Sequence, residues 1–181
     1  LTAVFLCPAS GFNHKGNNAM ADNSLDSTGT ELFLSLDGTT ALRFDCPTAV
    51  NGLGFTTDAI PNGCLDAITN TSRPGKKTIN ALSVPYNVQK GSEAHEYLVN
   101  LVSNLTEEIP YCVAWSDGTA DPTLVTGDFV APGVGPAFTR TCTIGTGYVA
   151  SNNIDINNNA IYAGTFTFTP QSQNTTFKPV P

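Results

Sequence analysis

In the stretch LFLSLDGTTALRFDCP, Leu32 to Pro47, apolar residues recur at every second position: Leu32, Leu34 and Leu36, then Leu42, Phe44 and Cys46. A period of two belongs to a β-strand, whose successive side chains point to opposite faces. Asp37-Gly38 separates the two runs, and glycine accepts the positive φ of a tight turn. The pattern predicts a hairpin. Pro47 should end its second strand, because proline has no N–H to give the ladder. LSVPYNV repeats the period through Leu82, Val84, Tyr86 and Val88, and Pro85 marks that strand as an edge or a bulge. LTAVFLC at the start, AFTRTCTIGTGYVA and AIYAGTFTFTP read as further strands, the last two separated by SNNIDINNN.

Other segments are less regular. Residues 8–30 are polar and read as a long loop. Residues 48–77 carry clusters of Gly, Pro and Asn and read mostly as loop. Residues 92–106 fit two patterns. Ala94, Leu98, Leu101, Val102 and Leu105 form a helical stripe with Ser92 as a cap. Tyr97, Val99 and Leu101 alternate as a strand would, and the strand is the expectation. After Tyr111-Cys112 the chain is rich in turn residues through Pro136.

Six or more short strands must each hide one apolar face, and two packed sheets do so economically. The predicted fold is therefore all-β: an antiparallel β-sandwich of immunoglobulin-like or Greek-key type, stapled by disulfides, with at most one substantial helix. Residues 1–170 form one domain and residues 171–181 a polar tail or linker. Composition agrees. The 181 residues include 24 Thr and 17 Asn, with 16 Gly and 12 Pro as punctuation. Thr suits a pleated strand, and neither Thr nor Asn favours helix.

Charge narrows the function. The net charge is −7, and only five Lys and three Arg are present, unclustered beyond Lys76-Lys77. Nucleic acid needs a basic face, so it is an unpromising partner. No run of about 18 apolar residues crosses a bilayer in this segment.

Candidate chemistry is sparse. There is no G-x-S-x-G elbow for a serine nucleophile. EAHEY, Glu93 to Tyr97, lacks the second His of a zinc-protease helix, and His95 reads as a solvent-facing residue. Asp117 and Asp121 in SDGTADPT, and Asp155 in SNNIDINNN, offer oxygen ligands but no complete Ca²⁺ loop. Trp115 provides either a sugar-stacking face or core packing. No catalytic residue, metal or cofactor is expected, and the protein is read as a non-enzyme.

Five cysteines, at 7, 46, 64, 112 and 142, contain no C-x-x-C pair. Wide spacing amid strands reads as disulfides in an oxidising compartment. Three sequons, at Asn70, Asn104 and Asn174, are candidate glycosylation sites of an extracellular or cell-surface protein.

FLCP, LFLSLDGTTALRFDCP, Cys64, LSVPY, YLVNL and PYCVAW stand in an order that resembles the SRS surface antigens of apicomplexan parasites, over about residues 7–115. The resemblance implies a coat protein that engages host-cell surface glycans or proteins. Five cysteines allow fifteen ways of forming two bridges, and spacing alone does not choose. Cys46 and Cys64 flank a short loop, and the surface-antigen pattern implies Cys7 with Cys112. That leaves Cys142 free or bonded to another molecule. The main reading is an extracellular adhesion or coat protein. The alternative is a structural subunit of an extracellular filament or pilus, joined to other subunits by strand addition, with LTAVFL as donor.

Overall fold

A computed structural model describes residues 27–35, 37–62, 71–103, 108–134, 137–158 and 160–179. The strand expected at residues 1–7 lies outside them, as does most of the loop expected to follow it. In chain order the first elements are β1 (Glu31–Ser35), β2 (Ala41–Arg43), β3 (Phe55–Asn62), β4 (Thr71–Ile79), β5 (Leu82–Asn87) and α1 (Glu93–Ser103). Then come β6 (Ile109–Ala114), β7 (Thr123–Val125), β8 (Asp128–Val130), β9 (Gly133–Val134) and β10 (Ala137–Phe138). The last are β11 (Cys142–Asp155), β12 (Ala163–Pro170) and β13 (Asn174–Thr176).

One antiparallel sheet dominates, in the order β2-β1-β6-β11-β12-β5, with β13 also paired to β11. Among the described residues the fold is mostly β with one short helix, as the composition implies; the expected sandwich is not confirmed. The main sheet carries α1 on one face and the β7–β8 hairpin on the other. A helix covers a sheet face as well as a second sheet does, and strand periodicity cannot tell which cover will come.

The hairpin legible in the sequence is present. β1 pairs with β2, and Leu34 faces Leu42. Asp37 Oδ1 accepts from Thr39 Oγ1 at 2.7 Å and from the N–H groups of Thr39 and Thr40, each at 2.9 Å. Those bonds, the hydroxyl's first, hold the Asp37 carboxyl below the usual carboxylate range. Gly38 takes φ +74°. Regular pairing ends at Arg43, yet Phe44 is buried and its N–H donates to Leu32 O at 2.7 Å. Cys46 lies beyond the strand, exposed, at φ +49°.

Residues 93–103 are a helix, which corrects the expected strand. Ser92 is the N-cap: its Oγ accepts from His95 N–H at 3.4 Å. The helical stripe wins because it buries Ala94, Leu98 and Leu101, with Leu98 at 0% exposure. The alternating set would also have had to bury Val99, which is 49% exposed.

Beneath the helix, aromatic rings fill the core. Phe44 meets Tyr86 at 5.2 Å and Phe166 at 5.1 Å between ring centroids, and Tyr111 meets Phe168 at 4.9 Å. Two glycines make room for rings from neighbouring strands. A Cβ on Gly164 would lie 2.3 Å from Tyr86 Cζ, and one on Gly147 would lie 2.7 Å from Phe168 Cε1. Gly164 pairs directly with Tyr86, so the ring lies across a position with no side chain.

The opposite face is smaller. Phe33, Cys112, Ala114 and Cys142 pack against Phe129 and Ala131 from the β7–β8 region. β5 is an edge strand of the main sheet, as Pro85 indicates. Its outer edge is occupied by residues 46–51: Thr48 N–H donates to Pro85 O at 2.8 Å, and Asn51 and Ser83 exchange two bonds of 2.9 Å.

Residues 48–77, read mostly as loop, contain the largest departure. β3 and β4 pair with each other over Phe55–Ile79 and with no other described strand. All of β3 is exposed, and β4 nearly so. No alternation of burial exists there to leave a signal in the sequence.

Candidate functional site

The chemistry-bearing side chains are used internally. His95 is 7% exposed, which corrects the solvent-facing expectation. Its ring packs against Phe44 and Tyr86, with centroids 5.0 and 4.8 Å away. Nδ1 accepts the Gln89 N–H at 3.1 Å and Nε2 donates to Asp45 O at 3.0 Å, an arrangement that requires the neutral tautomer protonated on Nε2. Both nitrogens are committed to backbone groups.

Asp117 is a loop anchor. Its carboxylate accepts from Thr141 N–H at 2.9 Å and from Thr141 Oγ1, and its carbonyl accepts from Lys178 Nζ at 2.7 Å. Trp115 is half-buried, donates from Nε1 to Thr143 Oγ1 at 3.2 Å, and meets Phe177 edge-on at 5.8 Å. It borders a cleft of about 250 Å³ with Pro47, Val50 and Leu53. Lys178 and Phe177 thus tie part of the residue 171–181 tail to the body, beside β13.

The one deeply buried cation is Arg140, 1% exposed, among the described residues. Its guanidinium donates to Glu31 Oε2 at 2.7 Å and to the carbonyls of Trp115, Gly29, Ala114 and Ala120. Glu31 also pairs with exposed Arg43 at 2.7 Å. With every donor direction satisfied, this is a structural clasp.

The cysteines do not staple the described fold. Cys46, Cys112 and Cys142 are free thiols, so neither expected bridge, Cys46–Cys64 or Cys7–Cys112, exists at its described end. Cys7 and Cys64 lie outside the described residues. Cys112 and Cys142 are both fully buried on one face of β6 and β11. A hydrogen bond to Cys142, then burial, pushes the Cys112 thiol far up. Burial also raises the neighbouring Tyr111 hydroxyl to about 12. Neither group is poised to react near neutral pH. Of the sequon residues, Asn174 is exposed on β13, opposite Ile144. Asn70 and Asn104 lie outside the described residues.

What the molecule does present is surface. The end of the β11–β12 hairpin exposes Ile154, Ile156, Ile161 and Tyr162, with Ile156 and Ile161 at 69% and 71%. At the other end of β11 a groove of about 530 Å³ runs past Phe129, Phe138 and Ile144. β3 and β4 add exposed Phe55 and Ile60. Apolar side chains at strand ends and on projecting hairpins suit contacts between proteins. No sequence motif marks these positions.

Comparison with known proteins agrees with that geometry. The phage tail tube family, described as "Phage tail tube, TTP, lambda-like", matches residues 23–179. "Structural protein 3" of Pseudomonas phage PAJU2 is 28% identical over 105 residues, 58% of this chain. The match spans 63% of that curated relative's length, less than two thirds of it. Among solved structures, the SPP1 tail tube superimposes with a TM-score of 0.60 at 10% identity, over 84% of this chain and 78% of that one. The sheath/tube terminator of an extracellular contractile injection system, PVC, gives 0.62 at 10% identity, over 87% and 99%. These two show a shared fold.

The matches overturn the resemblance to apicomplexan SRS antigens. The quoted motifs, a strand with a cysteine and a hairpin ending in Cys-Pro, occur wherever cysteines fall near strand ends. Adhesion and coat-antigen roles fall with the resemblance, and the filament-subunit alternative fits better.

Proposed function

The chain belongs to the lambda-like phage tail tube family, and on that premise we propose that it is a structural subunit whose copies assemble into a tube, with no catalytic step of its own. The family match over residues 23–179 carries the reading. The surface described above supports it: polar chemistry is spent inside the fold, and exposed apolar groups collect at strand ends. The expected partners are other copies of this chain and other proteins of the same particle, not host-cell glycans. The setting is an extracellular particle rather than a cell surface. Strand addition at β5 would meet an edge already filled by residues 46–51, so contacts through hairpins and side chains are favoured.

Concentrating the purified chain and imaging it by electron microscopy tests the proposal. Hollow tubes of uniform diameter are expected. Fibres without a lumen, or a chain that stays dispersed at every concentration reached, would refute it.

A further inference from the structure

We propose that Asn51-Gly52 is a self-modifying site: it converts spontaneously to an isoaspartyl linkage, and the conversion unlatches the segment that caps the outer edge of β5.

Three observations carry it. First, the residue pair is a reactive one in an open place. Asn-Gly occurs at Asn51-Gly52 and at Asn62-Gly63, and Gly63 lies outside the described residues. Asparagine is thermolabile, and a glycine after it leaves the next backbone nitrogen unshielded. Asn51 and Gly52 are both exposed. Among the described residues neither the Asn51 carboxamide nor the Gly52 N–H has a hydrogen-bond partner.

The chemistry balances with water alone. The Gly52 nitrogen gives its proton to solvent and attacks Asn51 Cγ. The N–Cγ bond forms, the Cγ–Nδ2 bond breaks, and Nδ2 leaves as ammonia with a proton from solvent. The five-membered imide then adds one water. Opening at Cγ gives aspartate. Opening at the main-chain carbonyl carbon gives isoaspartate, with Gly52 now joined through Cγ.

Second, the backbone at Asn51 is held lightly. Asn51 and Ser83 form an isolated bridge of two 2.9 Å bonds, outside any ladder. A bridge of this kind opens locally at far lower cost than a core strand. Once it opens, the carboxamide is free to turn onto the Gly52 nitrogen.

Third, the site has no slack for the product. Gly52 takes φ +94°, and a Cβ there would fall 2.1 Å from Ala81 O. The cap on β5 consists of four backbone bonds. Asn87 N–H donates to Cys46 O at 3.1 Å, Thr48 N–H donates to Pro85 O at 2.8 Å, and the Asn51–Ser83 pair supplies the other two. An isoaspartyl residue runs its main chain through Cβ and Cγ, which makes it one carbon longer, and it turns the former carbonyl into a free carboxylate. With Gly52 wedged against Ala81, the added atom displaces Asn51 from Ser83. The Ser83 N–H loses its acceptor, and that stretch of β5 becomes an open edge able to pair with another chain.

The test is ageing of the full chain in warm, mildly alkaline buffer, read by peptide mapping, enzymatic methylation of isoaspartate and hydrogen exchange. A blocked synthetic peptide of residues 50–54, aged alongside, is the clock. By the time the peptide has converted, the Asn51 segment of the chain should show the mass of deamidation and accept the methyl label. In the converted chain the Ser83 amide should exchange at least about tenfold faster. N51D adds the same charge without the added carbon and should keep Ser83 protected. N51Q closes the ring slowly and should neither convert nor open. An intact Asn51 beside a fully converted peptide overturns the proposal. So does isoaspartate with Ser83 exchange unchanged, or an equal loss of protection in N51D. The first two readouts need no variant, so they decide even if a variant fails to fold.

Discussion

Two long hairpins in this molecule are built on the same backbone ladder and share little else. β11–β12 and β3–β4 each join extended antiparallel strands and each contain one irregularity in register. In β12, buried Gly164, Phe166, Phe168 and Pro170 alternate with half-buried threonines. In β3 every residue is exposed. The difference is what covers them. β12 is flanked on both sides and its rings join the core that Leu98 of α1 covers, whereas β3–β4, an exposed arm, pairs with no other described strand. Hydrogen bonding is similar in the two, so burial of apolar area accounts for one being core and the other being surface.

The sharpest way to break the comparison is to remove a ring from β12. Phe166→Ala deletes a fully buried side chain whose ring meets Phe44 and whose strand partner is Val84. It should cost about 3–5 kcal/mol in urea unfolding, and a loss below about 1 kcal/mol would show that β12 is not the core it looks like. Next in size is Gly164→Ala. The new Cβ would meet Tyr86 Cζ at 2.3 Å, and the ring must shift or the strands part, at about 1–3 kcal/mol. Shrinking the ring in Tyr86→Ala should make the added methyl nearly neutral in that background, which a double-mutant cycle reads directly. The smallest effect belongs to the arm. Ile60→Ala removes a side chain that is 56% exposed, so the unfolding free energy of the dispersed chain should change by no more than about 0.5 kcal/mol. A larger loss would mean that the arm packs on its own body.

The same contrast explains what could be read from the sequence. β1–β2, β5 and β12 were legible because burial on one face writes a period of two into the residues, and Asp37-Gly38 supplied the turn. α1 was misread as a strand because Tyr97, Val99 and Leu101 alternate by chance, and only packing shows that Val99 faces out. The β3–β4 hairpin left no period, since both of its faces are exposed among the described residues. The cysteines misled for a related reason. Cys112 lies on a strand flanked on both sides, and burial in a cluster with Phe33 and Cys142 explains it without a bridge. The sandwich was not confirmed, because alternation says that a face is covered and not by what. Exposed apolar groups at strand ends such as Ile156 and Ile161 write no pattern into the sequence, so they were the least legible part.

Arg140 has a consequence for the order of events in folding. Its acceptors at Gly29, Glu31, Ala114, Trp115 and Ala120 lie between 20 and 111 residues away along the chain. No local fragment can supply them, and a guanidinium buried ahead of them would be an unpaired charge at a cost of several kcal/mol. The cation must therefore stay hydrated while the strands find their register. It sheds water only when the segments around residues 30, 115 and 120 arrive together, which makes this clasp a late and single step.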